Sequence, residues 1–260
     1  MAYAERPDGC RIYFERNGSP SAPPVMLLQG YGGDIPGWGA TIDHLSTDLH
    51  VAAFDFRGSG RSFADSGPVS LATFVDDTLA VLDAAGIDRA HLYGQSFGGM
   101  VAQEVALRHP RRARSLILAA THCGGPKRRL GRIRVPKDKP YLALFSEAFA
   151  EEHPDRIEDH RRVVGRSPQP LEAARFQYDA MQGFDACDRL RALRVPALIL
   201  HGTADRLIPA ANARMLADLI PGSRLALLEG AGHLYQWEQP EESSRLVVEF
   251  IRDVEGGTAA

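Results

Sequence analysis

Cysteine is scarce in this chain: three residues in 260, Cys10, Cys123 and Cys187, odd in number, far apart and without C-x-x-C spacing. That pattern excludes a disulfide scaffold and a zinc ribbon, and it predicts three reduced, mostly buried thiols. An excess of one charge is missing too, since 33 acidic residues face 30 basic ones for a net charge of −3. A surface built to neutralise phosphates is excluded, and nucleic acid is not an expected partner. Long apolar runs are absent: stretches such as 116–120 fall far short of the ~20 residues needed to cross a bilayer, so no membrane partner is expected. Glu5, Arg6, Asp8, Arg11, Glu15 and Arg16 interrupt any apolar leader near the start, which makes the cytoplasm the expected location. Glycine (25) and proline (17) together stay below the roughly 25–30% that marks low-complexity disorder. The length suits one domain with room for an inserted subdomain.

Short apolar runs over 25–28, 51–54, 91–93, 116–119, 197–200 and 225–228 read as buried strands. Helical patterns separate them. Ser70 caps one that carries Leu71, Val75, Leu79 and Leu82 and stops at Gly86; another covers about 98–108, and a third follows Pro240 with Leu246, Val247 and Phe250. Parallel neighbours need crossover connections, so the alternation predicts an α/β fold, a mainly parallel sheet with helices on both faces. Between the strand ending near Ala120 and the one starting at Ala197 the rhythm breaks. Two helical stripes stand there, Tyr141, Leu142, Phe145, Ala148 and Phe149, then Leu171, Ala174, Tyr178 and Met181, both expected to be buried by docking over the sheet. This divides the chain into a core of residues 1–123 and 190–260 and a helical subdomain of 124–189. The end, 255–260, is expected to fray.

The strongest local signal is HLYGQSFGG, in which Gly94, Ser96 and Gly98 form G-x-S-x-G directly after a strand and before a helix. So sharp a reversal needs small residues at Gly94, Gly98 and Gly99, and it pushes Ser96 out at the carboxyl end of the sheet. A serine hydroxyl needs a base to become a nucleophile. Asp205 follows the strand ALILHG and His233 follows LALLEG, in the order Ser, Asp, His, each on a loop after a strand. His233 Nε2 would take the Ser96 proton while Asp205 holds the imidazole.

With these residues in place, the chain resembles the α/β-hydrolase family over nearly its whole length. The motifs that carry the likeness are QGYGG, DFRGSGRS, GQSFGG, HGTADRLIP and GHLYQWEQP, with the inserted helices in the family's usual cap position after strand six. The resemblance implies a Ser96, Asp205, His233 triad, an oxyanion hole made by the backbone N–H groups of Tyr31 and Phe97, and no cofactor. Serine at the elbow points away from the dehalogenases and epoxide hydrolases of this fold. GGMVAQEVALRHP and SLILAATHCGGP look like the subgroup of enol-lactonases, small-molecule esterases and cofactor-free haloperoxidases. A small ester, lactone or related acyl compound is the implied partner. Thioester, C–C bond or peroxide chemistry on the same residues, and a ligand sensor with little turnover, remain open. Gln29 departs from the family's frequent histidine and either braces its loop or meets substrate.

Trp38, Phe145, Phe149, Phe176, Tyr178 and Trp237 are candidates for an apolar substrate lining, with core packing as the alternative for each. Lys127, Arg128, Arg129, Arg132, Arg134, Lys137 and Lys139 form a basic cluster that reads as a solvated face, or as a guide for an anionic substrate or acidic carrier. His122 and Cys123 cannot complete a metal set by themselves and read as pocket wall or core. RGSGR lacks the nucleotide-binding glycine patterns and reads as a tight turn.

Overall fold

The apolar runs become strands of one eight-stranded sheet in the computed structural model, which describes residues 2–62, 69–131, 133–167 and 169–257. The strands are β1 (Ala2–Glu5), β2 (Arg11–Asn17), β3 (Pro24–Leu28), β4 (His50–Phe54), β5 (Ala90–Gln95), β6 (Ala113–Ala119), β7 (Ala197–Gly202) and β8 (Arg224–Leu228), in the spatial order β1-β2-β4-β3-β5-β6-β7-β8. β3 to β8 pair in parallel, and β1 and β2 add an antiparallel edge. The sequence reading lacks these first two strands. Arg11, Glu15 and Arg16 break their apolar pattern, although Ile12 and Phe14 are buried on one face of β2 and Tyr13 on the other.

The helices are α1 (Thr41–Ser46), α2 (Leu71–Ala84), α3 (Phe97–Arg108), α4 (Glu147–Glu152), α5 (Pro154–Val164), α6 (Leu171–Gln182), α7 (Ala211–Leu219), α8 (Tyr235–Glu238) and α9 (Pro240–Glu255). Side chains alternate along each central strand between two separate cores. Met26, Leu92, Leu116 and Ile199 meet Phe74 of α2, Val101 of α3 and Leu216 of α7. Val25, Val51, Ile117 and Leu200 meet Leu45 of α1 and Val247 and Phe250 of α9. Both faces are covered, which is why the strands read as continuous apolar runs. Among the described residues no helix is long and apolar enough to cross a membrane.

Between β6 and β7 the described residues form α4, α5, α6 and short 3-10 turns, without a strand. The first predicted stripe is buried in part: Phe145 and Phe149 pack with Ile157, Leu234 and Trp237, Tyr141 and Leu142 are partly buried against them, and Ala148 is exposed. The second is less so. Leu171 is 90% and Tyr178 53% exposed, and the buried positions of α6 are Gln177 and Ala180. A buried glutamine whose amide is fully engaged sets the rotation of this helix in place of the leucine and tyrosine.

The cysteines require a correction. Cys123 and Cys187 form a disulfide with Cα atoms 4.8 Å apart, while Cys10 is a buried thiol. Their separation of 64 residues hides their nearness. They stand at the two roots of the insertion, where Gly124 also bridges to Asp185. Of the other expectations, Arg132 of the basic cluster and residues 258–260 of the predicted frayed end lie outside the described residues, while α9 runs to Glu255.

Candidate active site

The elbow is built as the glycines demand. Ser96 sits half-buried between β5 and α3 with φ 54° and ψ −114°, a left-handed conformation rare outside glycine, which costs about 1–3 kcal/mol and persists only when the surroundings hold it. They do. A Cβ at Gly94 would lie 2.3 Å from the Gly98 carbonyl oxygen, and one at Gly98 only 2.0 Å from that of Leu28. Ser96 N–H donates to Ala119 O at 2.8 Å, and Thr121 Oγ1 donates to Ser96 O at 2.7 Å, so the end of β6 clasps the serine's backbone on both sides.

His233 and Asp205 meet: Nδ1 lies 2.8 Å from Oδ2. The other carboxylate oxygen, Oδ1, accepts the N–H groups of Leu207 (2.9 Å) and Ile208 (2.8 Å). Burial opposes ionisation of Asp205, but the charge interactions and hydrogen bonds of His233 and His201 outweigh it and hold its carboxyl below the ordinary range. Because Nδ1 faces the carboxylate, Nε2 is the nitrogen available to a substrate or nucleophile. The His233 carbonyl accepts Gln95 Nε2–H at 3.2 Å, which ties the imidazole's loop to the residue before Ser96. Among the described residues no hydrogen bond joins Ser96 Oγ to the imidazole.

His201 is a neighbour the sequence reading missed. Its Nε2 lies 2.7 Å from Ile208 O and 3.2 Å from Asp205 Oδ2, so it bears the proton and shares the oxygen that His233 uses. It occupies the strand ALILHG as an apparent interior residue, and only the proximity of two loops reveals the contact. Glu238 was missed as well: Oε1 accepts Ser146 N–H (2.9 Å) and Gly232 N–H (3.1 Å), and Oε2 accepts Ser146 Oγ–H (2.8 Å), fastening the start of α4 to the loop that carries His233.

The loop after β3 passes over the serine. A methyl group on Gly30 would stand 3.5 Å from Ser96 Cβ. Gln29 is buried and its Oε1 accepts Gly30 N–H at 2.8 Å, while its chain lies against Gly33 and Gly37, so it braces the loop. Gln177 reaches from α6, its Oε1 accepting Gly32 N–H at 3.0 Å and its Nε2 donating to Ser59 Oγ at 3.0 Å. Among the described residues neither the Tyr31 N–H nor the Phe97 N–H is given to a protein acceptor.

The candidate aromatic rings are mostly buried. Trp38 has no exposed surface and packs edge-on against Tyr93 with centroids 5.0 Å apart, in the α1/α9 core. Phe145 is equally buried and stacks on Phe149. Trp237 donates from Nε1 to Gly37 O at 2.8 Å and lies against Gly39, anchoring the turn that Gln29 braces. Tyr178 is at the surface near Tyr31, whose phenol is pushed up by burial and by that neighbour. Composition cannot separate a ring that fills a core from one that lines a pocket. In the basic cluster, Lys127 pairs with Asp188 at 2.8 Å, and Asn212 of α7 receives Arg129 N–H at 2.8 Å. Among the described residues no group of three His, Cys, Asp or Glu side chains is placed to hold a metal ion.

A parallel sheet that ends in a strained serine and a His–Asp pair defines a class, and comparison with known proteins agrees. The profile described as "Alpha/beta hydrolase family" matches residues 25–246. The chain belongs to that family and is a hydrolase. It is 29% identical over 271 residues to the "Putative carbamate hydrolase RutD" of Azorhizobium caulinodans, covering 98% of this chain and 100% of that one. Among solved structures, a hydrolase from Pseudomonas aeruginosa PA01 is 26% identical with a TM-score of 0.84, covering 96% of this chain and 97% of that one. The enol-lactonase from Burkholderia xenovorans LB400 is 26% identical with a TM-score of 0.83, covering 96% and 99%.

Proposed function

We propose that this protein is a serine hydrolase that cleaves a small carboxylic ester or lactone through an acyl-enzyme. The observation that carries this is the 2.8 Å bond from His233 Nδ1 to a carboxylate kept ionised, on a loop tied to the strained serine turn. Ser96 Oγ attacks the carbonyl carbon as His233 Nε2 takes its proton, and Asp205 stabilises the imidazolium that forms. Substrate entry has to bring hydroxyl and imidazole together, as such contacts commonly tighten only in the complex. The uncommitted N–H groups of Tyr31 and Phe97 receive the developing oxyanion, each worth about 3 kcal/mol of barrier. His233 then protonates the leaving group, and water, activated by the same nitrogen, releases the acid and frees Ser96.

Residues 124–189 act as the cap that selects the substrate. The cytoplasm belongs to the same reading, and there the reducing pool would favour the dithiol form of Cys123 and Cys187. The name of the Azorhizobium relative favours a second substrate class, a carbamate, whose carbonyl carbon the same residues would attack. Partition of the acyl-enzyme among water, a thiol and peroxide separates hydrolysis from thioester and perhydrolase chemistry. The test is Ser96→Ala with p-nitrophenyl acetate, alongside fluorophosphonate labelling. Turnover and labelling at residue 96 should both vanish in a folded protein; retained turnover overturns the assignment, and a wild type that neither labels nor turns over favours the ligand-sensing alternative.

A further inference from the structure

His122 follows Thr121, the residue whose hydroxyl holds the Ser96 carbonyl and whose side chain lies under Gly99. Four contacts fix its position. The His122 carbonyl accepts Gln103 Nε2–H at 3.0 Å, Nδ1 accepts Gly124 N–H at 3.0 Å, the ring stacks on Phe184, and the next residue is locked in the disulfide to Cys187. A nitrogen that accepts a backbone N–H carries no proton, so in the neutral ring the proton is on Nε2. That Nε2–H has no partner among the described residues. It lies on the far side of the ring from Gly124, at the carboxyl end of β6, the strand between those that deliver Ser96 and Asp205.

We propose that His122 is a substrate-binding residue, whose Nε2–H donates a hydrogen bond to an acceptor oxygen on the acyl or leaving group, distinct from the carbonyl that Ser96 attacks. The inference rests on the hydrolase reading and narrows its substrate class to esters, lactones or carbamates that carry a further acceptor oxygen outside the scissile group. Burial, with Arg128 and His233 nearby, drives the His122 imidazole down to about 4, so near neutral pH it is an uncharged donor of fixed tautomer. A donor that the bound substrate closes off from water discriminates against analogues lacking the acceptor, because the donor is then left unpaired.

The test uses two isosteric pairs of esters: p-nitrophenyl levulinate against p-nitrophenyl pentanoate, which differ in the acyl chain, and 2-methoxyethyl against butyl butyrate, which differ in the alcohol. The wild type should favour the oxygen-bearing member of at least one pair by about tenfold in kcat/KM. His122→Asn keeps an acceptor for Gly124 N–H but removes the distal donor, and it should erase that preference. His122→Gln places an N–H near the position of Nε2 and should restore part of it. A ratio that is the same in all three proteins overturns the proposal. If the wild type turns over no ester at all, the hydrolase reading has failed, and the nitrogen NMR signal of His122 Nε2–H in Ser96→Ala protein still decides the point: a saturating shift with methyl levulinate, absent with methyl pentanoate, keeps the proposal, and no shift overturns it.

Discussion

Gln177 Oε1 accepts the Gly32 N–H at 3.0 Å, so a side chain of the insertion holds the loop that carries the Tyr31 amide. Its Nε2 reaches Ser59 Oγ and the Arg57 carbonyl, and nothing of this amide is left for solvent. Gln177→Ala should cost about 1–3 kcal/mol, since it removes a buried amide that is hydrogen-bonded at both its oxygen and its nitrogen. It should also lower kcat for an activated ester by roughly tenfold or more while KM changes little, as expected when a transition-state donor is misplaced. Steady-state kinetics beside a urea titration separate the two effects; unchanged kcat would mean that Gly32 is held without it.

Gly98→Ala sets a methyl group 2.0 Å from the Leu28 carbonyl oxygen and 2.6 Å from that of Gln29, both of them backbone atoms that cannot step aside. The variant should lose more than about 4 kcal/mol or fail to accumulate as folded protein. Gly183→Ala is the control, with φ −87° and nothing within 4 Å of the added atom, and should be close to neutral. Expression and thermal melting of the two proteins decide it.

The Cys123–Cys187 bond closes a span of 64 residues, and removing a cross-link of that size costs about 4 kcal/mol in chain entropy. Dithiothreitol should therefore lower the melting temperature by roughly 10 °C, and Cys187→Ser should melt at that lower temperature with or without reductant. Identical melting of oxidised and reduced wild type would show that the bond adds no stability.

His160 is buried edge-on against Phe145 and Trp237, with no partner for Nδ1 among the described residues, and burial alone lowers it to about 4 from 6.5. Above pH 6.5 the ring is neutral in both states and contributes no pH dependence. As pH falls from 6.5 towards 4 the unfolded chain takes up a proton that the folded one refuses, so stability drops by up to ~1.4 kcal/mol per pH unit from this group. His160→Gln should flatten the curve of urea stability against pH by about one proton over that window and leave the slope above pH 7 unchanged.

The central strands and the elbow were legible because both depend on local pattern: runs buried on two faces, and a turn that only glycines permit. The order of Ser96, Asp205 and His233 along the chain carried the candidate site for the same reason. Contacts between distant segments were not legible. Nothing local distinguishes Cys123 from Cys10, or His201 from any histidine on a buried strand. The orientation of α6 followed a buried glutamine and ran against the apolar stripe through Leu171 and Tyr178. Trp38 and Phe145 show the same ambiguity, since an aromatic side chain fits a core and a pocket equally well.

Glu238 grips Ser146 and Gly232 with one carboxylate. Replacement of the insertion by a foreign one is thereby constrained. A donor segment without a serine and a free amide at that junction would leave the partly buried Glu238 with one of its three hydrogen-bond donors, and the loop of His233 would shift along with the graft. Chimaeras should tolerate changes around α5 more readily than changes at the threshold of α4 or at Gln177 of α6, so the natural seam for recombination lies inside the insertion and not at its ends.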